Sequence, residues 1–307
     1  MARGLIRISQ AMKRQSPVFI VGEARSGTSI LYRTLQKHTS FAPRRTDLTE
    51  TEIFALLHRV FMFREQYPEQ LIRFMLQDRG QWIRFVSSIR LCRIANALLL
   101  PANLLARKPP RWLWYANLHP MTLRSFYFHA REARGCRRLV EKTPTNTPHL
   151  RYLKRAFPHS RFLYMHRHPV DVFASYRRRA RNDPEARWAD IGLDGFCERY
   201  EVSTSAALAW LDAAAGDLLL IGYENFTSDP QTSLREICGF LDERFEGSVL
   251  VESKPDPRRW RGDPHLWGPI VTTTKRWNDH ISEAEANSIE KRLAPLMARL
   301  GYGPYVA

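Results

Sequence analysis

The stretch that decides the fold is residues 17–36, PVFIVGEARSGTSILYRTLQ. Pro17 to Gly22 is a short apolar run rich in β-branched residues that ends in glycine, which predicts a buried strand. Apolar residues return at helical spacing from Ile30 to Gln36, so the segment is a strand, a glycine loop and a helix. The loop has the G-x-x-x-x-G spacing of a phosphate-binding loop, in which backbone N–H groups and a helix N-terminus attract an anion.

The loop differs in one respect from the loop of nucleoside triphosphatases. The lysine that follows the second glycine there is absent, because Thr28 occupies that position. A positive side chain, Arg25, lies inside the loop instead. The alternative is an ordinary glycine-rich turn between a strand and a helix, but the hydroxyl-rich sequence RSGTS favours an anion site.

Strands and helices alternate through the second half of the chain. The patterns predict strands at 138–141, 161–166 and 217–223, and helices at 148–157, 169–181, 195–215, 230–241 and 282–301. This alternation predicts an α/β fold: a central parallel sheet with helices on both faces, as in P-loop proteins. Residues 50–135 are predicted to be almost entirely helical and are interpreted as an insertion after the first βα unit of a single domain, residues 1–307.

A second candidate phosphate segment is RFLYMHRHPVDVFASY, residues 161–176. It predicts a strand, then Arg-x-Pro, then a helix. Arg167 ends the strand and Ser175 lies two turns into the helix, so a loop that folds back would let both reach one phosphate. A surface arginine and a helix-packing serine are the alternative for the same two residues.

The two segments together resemble the 5′-phosphosulfate loop and the 3′-phosphate segment of the sulfotransferases that use 3′-phosphoadenosine 5′-phosphosulfate. VEKTPTN (140–146), IGYENFTSDPQTSLREICGFL (221–241) and KRWNDHISEAEANSIEKRLAPLMARLGY (275–302) resemble further segments of that family, with Asn225 where an aspartate is usual. The resemblance is good across 17–50 and 138–302. It is weak across 53–135, the part in which members of the family usually hold the acceptor.

The resemblance implies a bacterial-type sulfotransferase, which moves a sulfuryl group from that donor to a hydroxyl or amine of a carbohydrate, lipid or small molecule. It implies no metal, because arginine and lysine supply the positive charge. The residues that it places around the donor nucleotide are Arg25, Ser26, Gly27, Thr28, Ser29, Arg167, Ser175, Tyr223, Lys275 and Arg276.

Two catalytic roles are implied as well. Lys142, at the end of a predicted strand, would meet the charge that develops on the leaving oxygen; a surface salt bridge with Glu141 is the alternative. Glu50 is the first candidate for the base that takes the acceptor proton, because it best matches the glutamate that the family carries after the first helix. Glu52 and His119 are the other candidates.

The chain is strongly basic: it has 47 Lys and Arg and 31 Asp and Glu residues, a net charge of +16. That excess favours an anionic partner. A nucleotide kinase or triphosphatase is a rival function, disfavoured by the missing loop lysine and by the lack of a convincing magnesium-binding aspartate. A nucleic-acid-binding protein is a weaker rival, because the arginines are dispersed and no nucleic-acid module is recognisable.

The cysteines, which are far apart in sequence, are predicted to be buried, reduced thiols of a cytoplasmic protein; they are Cys92, Cys136, Cys197 and Cys238. The longest apolar stretch, 94–106, is too short and too interrupted to span a membrane. Residues 79–94 interleave arginines with apolar residues, as in a basic amphipathic helix that rests on anionic lipid. A cap helix packed on the core is the alternative for that segment.

Overall fold

The computed structural model describes residues 16–44, 124, 127, 131–132, 134–184, 186–213, 216–252, 269–270 and 277–306. The helices predicted within 50–123, including the basic segment 79–94, lie outside the described residues. So do five candidate site residues: Glu50, Glu52, His119, Lys275 and Arg276.

Four strands of the described part form one parallel sheet in the order β2-β1-β3-β4. Their bounds are β1 Val18–Gly22, β2 Val140–Lys142, β3 Arg161–His166 and β4 Leu218–Gly222. All of β1 is buried, as expected for an interior strand of a parallel sheet. The predicted parallel α/β fold is confirmed, although β2 begins and ends later than the predicted strand 138–141.

Seven α-helices with both ends in the described ranges accompany the sheet. They are α1 Thr28–Leu35, α2 Leu150–Ala156, α3 Pro169–Asn182, α4 Leu193–Asp212, α5 Tyr223–Ser228, α6 Pro230–Phe240 and α7 Glu283–Arg299. A 3₁₀ helix, Pro144–His149, precedes α2. Tyr223 was predicted as the last residue of a strand; it is instead the first residue of α5, a helix that the sequence patterns did not indicate.

Several helix starts follow from local chemistry. Proline occupies the first turn of α3 and of α6, where its missing N–H is not needed. The Asp229 side chain accepts a hydrogen bond from the Thr232 backbone N–H, 3.1 Å away, and caps α6. The predicted capping box of Ser282 and Glu285 is present at the start of α7.

The two faces of the sheet pack against different helices. On one face, Ile20 and Leu163 belong to a buried cluster that includes residues of α1, α5 and α6. On the other face, the Phe162 ring contacts Trp210 of α4 edge-on, with ring centroids 5.8 Å apart. Helices therefore cover both faces, as the alternation of elements predicts.

Helices α3, α4 and α7 form a second apolar cluster, in which Phe173, Phe196 and Ile289 are fully buried. Cys136, Cys197 and Cys238 are buried free thiols. Within the described ranges, no helix has the length and apolar character needed to cross a membrane.

Candidate active site

The carboxyl ends of the four strands lie at one edge of the sheet, because all of them run in the same direction. The glycine loop follows β1, the turn that begins at Thr143 follows β2, Arg167 follows β3 and Tyr223 follows β4. In open parallel sheets, ligands bind outside this edge, in the crevice where neighbouring loops leave toward opposite faces. The topology thus gathers segments that are up to about 200 residues apart in the chain.

Both glycines of the loop are required by the backbone. Gly22 has φ 145°, and a Cβ there would lie 2.3 Å from the Met165 carbonyl oxygen of the adjacent strand. Gly27 has φ 106° and would bring a Cβ to 2.5 Å from Cδ2 of Tyr223. The loop can approach β3 and the Tyr223 ring closely only because neither position carries a side chain.

The hydroxyl residues of the loop differ in their surroundings. The Ser26 hydroxyl lies 2.6 Å from the Glu23 carbonyl oxygen and 2.9 Å from the Met165 carbonyl oxygen, so this buried side chain fastens the loop to β3. Thr28 is buried as the first residue of α1, and Ser29, in the next position, is partly exposed. The Ser26 backbone N–H also donates to the Glu23 carbonyl oxygen, at 3.2 Å, so both the hydroxyl and the N–H of Ser26 are engaged within the protein.

Arg25 connects the two candidate phosphate segments. Its Nε donates a hydrogen bond to the Ser175 hydroxyl across 3.2 Å, although the two residues are 150 positions apart. Arg25 has φ 69°, a left-handed conformation that is uncommon for a residue other than glycine. Ser175 lies on the second turn of α3 and is buried. The structure thus brings together a loop cation and the helix serine of the second segment.

Arg167, in the turn after β3, contacts the loop's neighbour Tyr223. Its guanidinium carbon is 4.3 Å from the centroid of the Tyr223 ring, the same ring that packs on Gly27. The Arg167 carbonyl oxygen accepts a hydrogen bond from the Tyr200 hydroxyl at 2.9 Å, which ties the turn after β3 to α4. Arg167 is only 7% exposed, so the alternative of a surface arginine is wrong.

Lys142 and Glu141 are both buried at the end of β2, with exposures of 1% and 0%. A surface salt bridge is therefore excluded for Lys142. The Glu141 carboxylate accepts hydrogen bonds from the Thr143 hydroxyl and from Asn146 Nδ2, which orders the turn that follows β2. Lys142 pairs in register with Ile20, two residues before the glycine loop begins.

Sequence reasoning missed the role of Glu23, a buried loop residue whose carboxylate connects the loop to α3 and α4. Its carboxylate accepts a hydrogen bond from the Tyr176 hydroxyl at 2.5 Å and lies 3.2 Å from Nη2 of Arg199. Burial raises the pKa of Glu23, against the opposing effects of Arg199 and Tyr176. A second missed contact is the hydrogen bond of 3.0 Å from the Gly22 N–H to the Thr147 hydroxyl, which joins the loop to the segment after β2.

A cleft of about 230 Å³ lies beside the loop. Glu23 forms part of one wall, Pro144 and Thr145 of the turn after Lys142 form another, and Arg199 and Val202 of α4 complete it. The cleft thus borders both the glycine loop and the turn that follows β2.

Sequence reasoning also missed the contacts of the C-terminal segment with the turn after β3. The Tyr302 hydroxyl donates to Glu224 at 2.8 Å and lies 2.9 Å from His166 Nδ1. The His168 backbone N–H donates to the other oxygen of Glu224 at 3.1 Å. Burial lowers the pKa of both histidines to about 4, so they are neutral at physiological pH.

Among the described residues, no cluster of His, Cys, Asp and Glu has the arrangement of a metal site. The charges that the structure gathers at this edge are instead the guanidinium groups of Arg25 and Arg167, together with the buried Lys142. Such groups suit an anionic ligand.

Fold and site together define an α/β protein whose glycine loop, with the spacing of a phosphate-binding loop, lies at the carboxyl edge of a parallel sheet. The family model described as the sulfotransferase family matches residues 17–247, three-quarters of the chain. The chain belongs to the sulfotransferase family, and it is a transferase.

Solved structures share the fold. The sulfotransferase domain of the Synechococcus PCC 7002 olefin synthase is 19% identical, with a TM-score of 0.56 over 94% of this chain and 96% of that one. The sulfotransferase domain from the curacin biosynthetic pathway is 18% identical, with a TM-score of 0.54 over 94% and 98%. Sulfotransferase STF9 from Mycobacterium avium is 13% identical, with a TM-score of 0.53 over 98% and 81%.

Proposed function

We propose that this sulfotransferase uses 3′-phosphoadenosine 5′-phosphosulfate as its donor and a hydroxyl or amine as its acceptor. The main support for the proposal is that the two candidate phosphate segments, the glycine loop and residues 161–176, lie next to each other at one edge of the sheet. The hydrogen bond between Arg25 and Ser175 joins them on one side. Contact of the Tyr223 ring with both Gly27 and Arg167 joins them on the other.

The donor carries phosphate groups on two positions of one ribose, so it needs two cationic sites a short distance apart. We assign the 5′-phosphosulfate to the backbone of the glycine loop and to Arg25, and the 3′-phosphate to Arg167 and Ser175. Tyr223 is 6% exposed and packs in the apolar cluster with its ring beside Arg167, and we assign it to the border of the adenine site. Lys275 and Arg276, which lie outside the described residues, are proposed to close over the nucleotide.

In the reaction, the acceptor atom attacks sulfur and forms the new S–O or S–N bond while the S–O bond to the nucleotide phosphate breaks. The electron pair of that bond stays on the leaving phosphate oxygen, and the acceptor proton passes to a base. By analogy with phosphoryl transfer, positioning and charge neutralisation dominate catalysis. We assign Lys142 to the charge that develops on the leaving oxygen, because it is buried at the strand end next to the loop.

We propose that the acceptor approaches through the cleft beside Glu23, because that cleft borders both the loop and the turn after Lys142. Glu50 remains the first candidate for the base, with Glu52 and His119 as the others. Since neutralising a general base usually costs about 10²–10⁴-fold in rate, Glu50→Gln should lower turnover by that factor and Glu52→Gln by much less. Near-full turnover of Glu50→Gln would remove Glu50 as the base.

Calorimetry with 3′,5′-bisphosphoadenosine and AMP tests the donor. A charged hydrogen bond contributes about 1.5–3 kcal/mol, so the bisphosphate should bind roughly 10- to 100-fold more tightly. Arg167→Ala should remove most of this preference. Arg161→Ala is the matched control, because Arg161 begins the same strand and lies beside Asp217 and Asp242 at the opposite edge of the sheet. Equal affinity of the wild-type protein for both nucleotides contradicts the proposal.

The acceptor is then identified by transfer itself. The protein is incubated with donor labelled in its sulfate and with fractionated cell extract, and the labelled product is characterised. Transfer that depends on the intact donor and is lost in Arg25→Ala supports the proposal; release of phosphate from ATP with magnesium supports a nucleotide kinase or triphosphatase instead.

A further inference from the structure

The last residues of the chain are fixed onto the helices that surround the nucleotide site. The backbone N–H groups of Tyr305 and Val306 donate to the two carboxylate oxygens of Glu290, at 2.6 and 3.3 Å. His168 Nε2 lies 3.0 Å from the Gly303 carbonyl oxygen. These anchors hold the segment without help from the Tyr305 side chain.

The Tyr305 side chain reaches the start of α3. Its ring stacks on the His168 ring, with centroids 3.6 Å apart and planes 10° from parallel. Its hydroxyl donates a hydrogen bond of 3.0 Å to Oδ2 of Asp171. Burial and the neighbouring Asp171 carboxylate raise the pKa of Tyr305, so the hydroxyl keeps its proton.

The same carboxylate oxygen faces Arg167. Oδ2 of Asp171 lies 3.9 Å from Nη2 of Arg167, about 1 Å beyond the length of a charge-assisted hydrogen bond. Asp171 is 3% exposed, so this separation is not filled by bulk solvent. A small rotation of the Asp171 side chain would close the gap and draw the guanidinium toward α3.

We propose that Tyr305 is a positioning residue, whose hydroxyl restrains Asp171 and so keeps this carboxylate from closing on Arg167. Asp171 and Arg167 already form an ion pair at 3.9 Å, and a closer pair would also occupy guanidinium N–H groups that a phosphate needs. The inference rests on the proposed function, because it assigns Arg167 to the 3′-phosphate of the donor. Under this inference, the C-terminal segment contributes to the selectivity for a donor with a 3′-phosphate.

The test compares the affinities for 3′,5′-bisphosphoadenosine and AMP in four full-length proteins. Tyr305→Phe keeps the ring on His168 and removes only the hydroxyl, so the preference for the bisphosphate should fall about two- to tenfold, the worth of one net hydrogen bond. Affinity for AMP should stay unchanged, because AMP lacks the 3′-phosphate. Loss of stability alone would weaken both nucleotides alike.

Two further variants isolate the cause. The double variant Tyr305→Phe/Asp171→Asn should recover the preference for the bisphosphate over AMP, because a neutral amide attracts the Arg167 guanidinium less than a carboxylate does. Tyr164→Phe is the matched control; it removes another buried hydroxyl, which bonds Thr204 at 3.0 Å, and should leave the preference at the wild-type value.

An unchanged preference in Tyr305→Phe overturns the inference, and so does a double variant as unselective as the single one. A wild-type protein without preference refutes the proposed donor itself, and with it the inference. The two failures are therefore distinguishable in one set of titrations.

Discussion

Replacing Gly27 with alanine should damage the glycine loop in two ways. Its φ of 106° is unfavourable for any residue with a Cβ, at a cost of about 1–3 kcal/mol. The new Cβ would also lie 2.5 Å from Cδ2 of Tyr223, and relieving such an overlap in a packed core costs about 1–3 kcal/mol. The two effects sum to roughly 2–6 kcal/mol. Because Tyr223 also contacts Arg167, its displacement should weaken binding of 3′,5′-bisphosphoadenosine.

Thermal unfolding and calorimetry measure both effects. The entropy of unfolding is about 2.1 cal/mol/K per residue, so in a chain of 307 residues about 1 kcal/mol shifts Tm by roughly 1.5 °C, and Gly27→Ala should lower Tm by at least about 3 °C. Gly239→Ala is the control. Gly239 lies in α6 with no atom within 4 Å of its Cβ position, and alanine there should stabilise the helix by about 0.5–1 kcal/mol. If both variants unfold at the same temperature and bind the bisphosphate equally, the loop geometry and its contact with Tyr223 are wrong.

Three further predictions concern catalysis, helix capping and pH. Lys142→Met should lower kcat by about 10²–10³-fold and change donor affinity less, because the lysine acts on charge that develops in the transition state; steady-state kinetics would show otherwise if kcat stays within threefold of wild type. Ser282→Ala should cost about 1 kcal/mol in urea unfolding, and Ser288→Ala in the same helix less than about 0.5 kcal/mol. His166 and His168, with folded pKa values of about 4, bind fewer protons than in the unfolded chain between pH 4 and about 6.5. The free energy of unfolding should therefore fall as pH falls through that window, with a shallower slope in His166→Asn.

Those parts of the fold that depend on local pattern were predictable from the sequence. The strand at 161–166 has the predicted bounds, because a buried parallel strand is a short apolar run between polar loops. The capping box at Ser282 was also predictable, since its two partners are three residues apart. Arg167 directly follows β3 and Ser175 lies on the second turn of α3, as the predicted strand and helix placed them, whereas their joint binding of one phosphate stays a prediction.

Features that depend on distant contacts were not predictable. The bounds of the short strand β2 are set by its pairing with β1, which lies more than 100 residues away in the chain. The local sequence pattern therefore misplaced this strand. Pro148, predicted to begin a helix over 148–157, lies instead inside the 3₁₀ helix Pro144–His149, and α2 begins at Leu150. The carboxylate of Glu23 is held by residues about 150 and more positions away, and no spacing in the sequence indicates such a contact.

Under the proposed function, Arg25 takes the place of the lysine that this P-loop sequence lacks. The residue after Gly27 is Thr28, an uncharged side chain buried in the first turn of α1, so it supplies no charge to the loop. Arg25 supplies it from within the loop, in a left-handed conformation that a surrounding structure must hold in place. Its hydrogen bond to Ser175 is one such restraint, and it joins the loop cation to the helix that carries the second phosphate segment. A ligand with phosphates on both sides of a ribose can use this link, whereas a linear triphosphate on the loop alone has no group for Ser175.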